Sequence, residues 1–453
     1  MVPALPRRVA RFAVAGILAA AVPAWSASLP MGEADARHLL SRTGFGPTAA
    51  DVRTFASLSR DEGVDRVLAA TRTRVTAVTP PPAWTAETGP LRPAAAAAPE
   101  ERRDFARRQA LRVAELRAWW VQEMLATPSP LTERLTLFWH NHFVSSQQKV
   151  RVARLMYAQN ALYRSEALGN FATLLHAAAK DPAMVVYLDS AQNRKGAPNE
   201  NFAREVMELF TLGQGHYGEQ DVKEAARAFT GWSLDRDTGT FLFRPRLHDD
   251  GDKTVLGRTG RFDGDAVVDV LLARPETAEL VVGKLWQELV SPVPDAREVA
   301  RIARAFRAAN YEIIVPVREL LRSAAFWAPA QRGALVKSPV DLVVGALRQL
   351  DQSPADTRPY ALAVAGMGQN LFAPPNVRGW PGGDAWINSN TLLARKQFVD
   401  RLARSDAVVM ELAKAPAAQR VLLPIAPQLP SPPDADAALA IRTTLLDPAY
   451  QLK

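Results

Sequence analysis

Apolar residues recur at three- and four-residue steps through most of the chain, and that spacing predicts one helix after another. A short helix over 33–40 stops at the Gly- and Pro-rich stretch 41–47. Val52, Phe55, Val64, Val67 and Leu68 then mark a helical stretch over 51–70, and Val113, Leu116, Trp120 and Met124 a long amphipathic one over 101–126. Thr127-Pro-Ser-Pro130 ends that helix. Ser129 before Pro130 is the cap and first-turn pair from which the next begins. The same period predicts helices over 171–180, 200–212 (stopped by Gly213), 221–229, 266–272, 278–290, 298–308, 316–324, 339–350 and 392–402. It changes to alternation in 241–245 and 253–256, on either side of His248-Asp-Asp-Gly251, where an Asp-Gly turn predicts a small β-hairpin. The expected fold is mainly α: a multi-helix globular array with a β-hairpin insertion near residues 240–258 and no repeat of fixed period.

Composition adds organisation. With 453 residues and 48% hydrophobic content, the chain can bury one large core or two to three smaller ones. Arg7, Arg8 and Arg11 precede an apolar run over 12–22 and then small residues over 24–28, the pattern of an export signal cleaved near Ser26 or Ala27. The apolar run is far short of the ~20 residues that span a bilayer, so a periplasmic or secreted protein without a membrane span is expected. The segments are then 1–26 signal peptide, 27–78 N-terminal helices, 79–99 a Pro/Ala-rich linker, 100–240 a central helical region, 241–265 the hairpin, 266–404 C-terminal helices and 405–453 a Pro-rich tail. The formal charge of +8 falls to about +5 without the three signal arginines, too mild and dispersed for nucleic acid. No cysteine is present, which removes disulfides, thiolate metal sites and cysteine nucleophiles. Phosphate-binding loops, dinucleotide glycine patterns, nucleophile elbows and His-Glu-x-x-His are absent as well.

Two motifs carry candidate chemistry. In Leu135-Thr-Leu-Phe-Trp-His-Asn-His-Phe143, a helix from Pro130 puts His142 on the stripe of Leu131, Leu135 and Phe138, with His140 about 200° away beside Glu133. Both histidines can hold one ion only if the helix breaks near Trp139, because residues i and i+2 share a face only in extended chain. If the helix runs on, only one histidine can belong to a site, and His142 is the one that shares the face of Leu135 and Phe138. In Asn199-Glu-Asn-Phe-Ala-Arg-Glu-Val-Met-Glu-Leu-Phe-Thr-Leu-Gly213, Glu205 falls inside the apolar arc of Phe202, Val206, Leu209 and Leu212. A carboxylate aimed at a core must be paired, hydrogen-bonded, metal-bound or protonated. Glu200 and Arg204 form an i,i+4 pair suited to surface or capping support. Asp189 and Asn193 flank a turn after Tyr187, and His248 with Asp249 joins imidazole to carboxylate in the hairpin turn.

The segments "LTLFWHNHF", "YLDSAQN", "NENFAREVMELFTLG", "AARAFTGW", "HDDGDKTVLG" and "PPNVRGWPGGDAWIN", in that order, resemble a bacterial domain-of-unknown-function family, DUF1800, from about His38 to the C-terminal region. The resemblance implies an exported, mainly helical protein and a partner resembling exported alkaline phosphatases and sulfatases; it supplies no catalytic residues. The residues leave two main functions open, with non-covalent haem binding through a histidine of a helical bundle as a third. One is an exported hydrolase acting on a cell-envelope or extracellular polymer, with His142, Glu205, Asp189, Asn199 and Glu200 as catalytic candidates. It works either by acid–base chemistry or through a divalent metal ion held by His140, His142, Glu205, His248 and Asp249. The other is a non-catalytic exported scaffold that presents the Pro/Ala stretch and the Trp380/Trp386 loop to its partner.

Overall fold

The computed structural model describes residues 29–73, 77–94, 96–405, 422–430 and 437–453, together with Met1. The expected export segment and its cleavage point lie outside the described residues. Among the described residues there are twenty helices and two small antiparallel strand pairs. The first seven helices are α1 (Gly32–Thr43), α2 (Ala49–Ala56), α3 (Arg60–Thr73), α4 (Pro99–Ala126), α5 (Pro130–His142), α6 (Gln147–Val150) and α7 (Ala153–Ser165). Next come α8 (Phe171–Lys180), α9 (Pro182–Tyr187), α10 (Asn201–Glu205), α11 (Glu219–Ala228), α12 (Gly264–Leu272), α13 (Pro275–Leu289) and α14 (Ala296–Ala308). The series ends with α15 (Ile314–Arg322), α16 (Ala324–Trp327), α17 (Pro339–Gln349), α18 (Arg358–Gly366), α19 (Ser389–Ala403) and α20 (Ala437–Leu446). No described helix is long and apolar enough to cross a membrane.

Helix α5 runs through the middle. Every side chain from Leu131 to His140 is buried, so the helix has no solvent face, and its sides serve two apolar clusters. Leu131, Leu135, Phe138 and Trp139 pack into one with Phe171, Phe210 and Leu285; Leu137 packs into the other with Trp120, Val343 and Trp386. The charges that α5 carries inward are paired, as burial demands. Glu133 takes Arg164 Nε at 2.5 Å and Nη2 at 2.9 Å, and also accepts the Trp120 indole N–H at 2.8 Å. On the next turn face, Arg134 pairs with Glu288 and Asp341.

Both segments expected to form one hairpin are strands, but they do not pair with each other. β2 (Phe241–Phe243) pairs with β1 (Trp232–Leu234), and β3 (Lys253–Val255) with β4 (Arg258–Gly260). The closest turns win. Leu256 and Gly257 both have positive φ, 51° and 78°, the two-residue geometry that joins β3 to β4. Asp235 caps the β1–β2 loop by accepting from Asp237 N and Thr238 N. The stretch read as a hairpin turn is instead a latch: His248 Nδ1 meets Thr230 O at 2.9 Å, and Asp249 takes Arg227 from α11 at 2.8 Å.

The Pro/Ala-rich stretch over 79–99 is tied down, not free. Trp84 is buried and donates to Glu115 at 2.7 Å, while Val78 N and Thr79 N bond the buried carboxylate of Glu123. The end of the chain also packs inward, with Tyr450 buried and Lys453 N and Lys337 N donating across to Leu335 O and Gln451 O.

Candidate functional site

Helix α5 continues unbroken to His142, so the two histidines cannot hold one ion together. His140 and His142 project to opposite sides. His140 lies among Trp120, Tyr163 and Phe372, and its Nε2 accepts from Asn160 Nδ2 at 3.1 Å. Burial, with Arg164 nearby, lowers it to about 3, so it is a neutral core histidine.

His142 faces a cavity of about 510 Å³, a size typical of ligand sites. Its Nε2 lies 3.1 Å from Phe210 O, and because a carbonyl only accepts, Nε2 carries the proton. Nδ1 is then a lone pair, 3.2 Å from Lys284 Nζ on α13. Lys284 donates its other short bond to Leu209 O at 2.8 Å. Burial lowers the Lys284 amine to about 8, and burial together with that amine holds His142 well below its ordinary value. An imidazole and a lysine that can each be neutral near pH 8 therefore share one contact inside a cavity, the arrangement used for proton transfer.

The NENFARE helix meets this pair through its backbone. After Glu205 the α-turns of α10 widen into a π-helical segment over Val206–Thr211, in which Leu212 N reaches back to Met207 O. Leu209 O and Phe210 O, near the end of that segment, are the carbonyls that take Lys284 and His142. The two sequence motifs do converge, but Glu205 is not the contact. Glu205 is half-buried and raised by burial and by Glu208, with Arg204 and Arg378 opposing; among the described residues its carboxylate has no hydrogen bond or ion pair, and it is not part of the cavity lining.

The remaining walls come from α5, α13, α17 and the loop over 370–386. Asn141 Oδ1 accepts from Trp380 N at 2.7 Å and so fastens that loop to α5. Gly379, with φ 88°, makes the approach possible: a Cβ there would lie 2.2 Å from Asn141 Oδ1. Trp380 and Trp386 line the cavity at 4% and 6% exposure, so they do not form the exposed contact surface expected of them. The Trp380 indole N–H is buried without a hydrogen-bond partner among the described residues. At one end Asp341 joins Arg134 and Lys453, with Glu288 on the other side of Arg134. Burial pushes Asp341 up, but Arg134 and Lys453 outweigh it and hold the carboxylate well below its usual range. Of the four basic side chains in the lining, Arg134 and Lys453 pair with Asp341 and Glu288, and Arg378 lies 3.6 Å from Glu208, so Lys284 is the one without a carboxylate partner among the described residues.

The other candidates lie in local networks. Asp189, in the left-handed region at φ 57°, pairs with Lys149 at 2.6 Å. Asn199 Oδ1 accepts from Asn201 N at the start of α10, its own N–H held by Asn193 Oδ1. Glu200 pairs with Arg204 as the i,i+4 spacing predicted, and Arg204 reaches on to Glu219. The expected chelate of His140, His142, Glu205, His248 and Asp249 is not assembled: among the described residues no group of three or more His, Asp or Glu side chains is placed to hold a metal ion. His140 points away from His142, and His248 and Asp249 are spent on the α11 latch.

Sequence reasoning passed over Lys284, Asn141 and Lys453. None of the three had a signal: on the helical wheel Lys284 falls outside the arc of Val281, Val282, Leu285 and Trp286, and the partners of all three are far along the chain.

No curated protein and no solved structure matches this chain. The sequence profile of one family, described as a protein of unknown function (DUF1800), matches residues 38–452, nearly the whole chain. The chain therefore belongs to the DUF1800 family.

Proposed function

We propose that this protein is an exported acid–base enzyme that acts on an extracellular or cell-envelope polymer carrying anionic groups, with His142 and Lys284 as its proton-transfer pair. The observation that carries the reading is the 3.2 Å contact between His142 Nδ1 and Lys284 Nζ inside a cavity of about 510 Å³. A lysine lowered to about 8 works near neutral pH as a base when neutral and as an acid when charged. Lys284, when charged, has no carboxylate partner among the described residues and so suits an anionic group, and two tryptophans, one with an indole N–H unpaired among the described residues, suit a ring with polar substituents. The acid–base version is preferred to the metal version because the imidazoles and carboxylates are dispersed.

The test is release of fragments from cell-envelope material and from acidic polysaccharides by the purified protein, read by mass spectrometry. Lys284→Met and His142→Gln are expected to lower release by about 10²- to 10⁴-fold while keeping the wild-type circular dichroism. Unchanged release in both folded variants would remove the pair from the chemistry and leave it as an internal strut holding the π-helical carbonyls.

A further inference from the structure

A second concavity, of about 710 Å³, lies between the N-terminal half of α4, the strap over 91–93 and the short helix α6. Its wall is anchored. Arg154 holds Gly89 O at 2.5 Å, and Leu91 N bonds Arg236 O at 3.2 Å. Five cations line it, Arg92, Arg102, Arg117, Lys149 and Arg151, and no carboxylate does. Lys149 pairs with Asp189 outside the groove. The side-chain hydrogen bonds of Arg117 and Arg151 go to backbone carbonyls, those of Leu371 and Gln148, so neither guanidinium is neutralised by a carboxylate. Arg117 and Arg151, whose charge no carboxylate among the described residues offsets, leave an anion-shaped deficit.

Between the cations the surface is mostly aliphatic: Leu91, Pro93, Ala106, Ala110, Val113 and Val150, with Phe105 as the one aromatic ring. Uncharged hydrogen-bonding side chains are scarce. The Gln109 amide oxygen is taken by Ala153 N, while that of Gln147 is buried with no partner. A sugar needs many such partners and flat aromatic faces, whereas an alkyl chain needs neither.

We infer that this groove binds an anionic amphiphile, its alkyl chain along α4 and its head group on Arg117 and Arg151. The site is separate from the His142–Lys284 cavity and stands independently of the function proposed for it. Laurate, its uncharged counterpart dodecanol and polygalacturonate are the probes, measured by calorimetry on the full chain. Laurate is expected to bind one per chain and at least about tenfold more tightly than dodecanol, since one charge-assisted hydrogen bond is worth about that factor. Arg117→Gln and Arg151→Gln should each weaken laurate about tenfold, and Lys284→Met should not change it. Ala110→Trp, at an exposed position of α4, fills the groove without touching a charge and should abolish binding in a protein that still folds. Equal binding of dodecanol, or laurate binding indifferent to Arg117→Gln and Ala110→Trp, would overturn the inference. So would polygalacturonate binding that depends on Arg117 while laurate does not bind.

Discussion

Three of the six histidines are held neutral by burial, and that has a consequence in pH. His38 is lowered to about 2, His140 to about 3 and His142 well below its ordinary value. A histidine whose folded pKa lies below its unfolded value of about 6.5 takes a proton only on unfolding, so its contribution is intact above pH ~6.5 and is lost as pH falls. Asp181 has the opposite sign. Burial pushes it up to about 7, so it keeps a proton in the fold that it gives up on unfolding, offsetting one histidine. The remaining two lower stability by roughly 3 kcal/mol per pH unit below pH ~6.5. Thermal unfolding scans from pH 7.5 to 5.5 should show a steep fall in Tm that is shallower in His140→Phe; a flat profile would mean that these rings are not held neutral.

Elements place the chemistry more than single residues do. α5 delivers His142 and Asn141 to one cavity, and the π-helical segment aims two carbonyls at the histidine and at Lys284. Neither feature is visible in a periodicity of 3.6, because a π turn is one extra residue whose cause is tertiary. The loop over 370–386 depends on Gly379, where a side chain would meet Asn141 and where φ is 88°. Gly379→Ala is expected to cost about 2 kcal/mol or more and to release the loop, read as a lower Tm and quenching of the Trp380 region by added acrylamide. Asn141→Ala removes the acceptor for Trp380 N and should increase the same quenching with a smaller loss of stability. The β pairs teach a related lesson. Alternation marked 241–243 and 253–255 correctly as strands and ran on too far into Pro245 and Leu256, while local turns at 235–240 and 256–257 gave each strand a nearer partner than the other.

At the scale of the molecule, Asp341 joins parts far apart in sequence: α5 through Arg134, α17 through its own backbone, and the last residue through Lys453. Removing one partner strands a buried charge, so Asp341→Ala is expected to destabilise by about 3–5 kcal/mol in denaturant titration; Asp341→Asn should behave similarly. Such long-range ion pairs are why the site was only half legible. Helical architecture followed from spacing, and His142 from its stripe with Leu135 and Phe138. α7 was missed because its buried face turns from Ala153, Leu155 and Met156 to the polar Gln159, Asn160, Tyr163 and Arg164, of which Asn160 meets His140 and Arg164 meets Glu133 by tertiary contact alone. Lys284 and Lys453 were missed for the same reason.

The proposed chemistry rests on Lys284 being a lowered lysine beside a neutral imidazole. The direct measurement is its titration, by pH-dependent acetylation of the native protein with the Lys284 peptide quantified by mass spectrometry. A midpoint near 8 is the result predicted. A midpoint at the ordinary lysine value of about 10.4 would contradict the account.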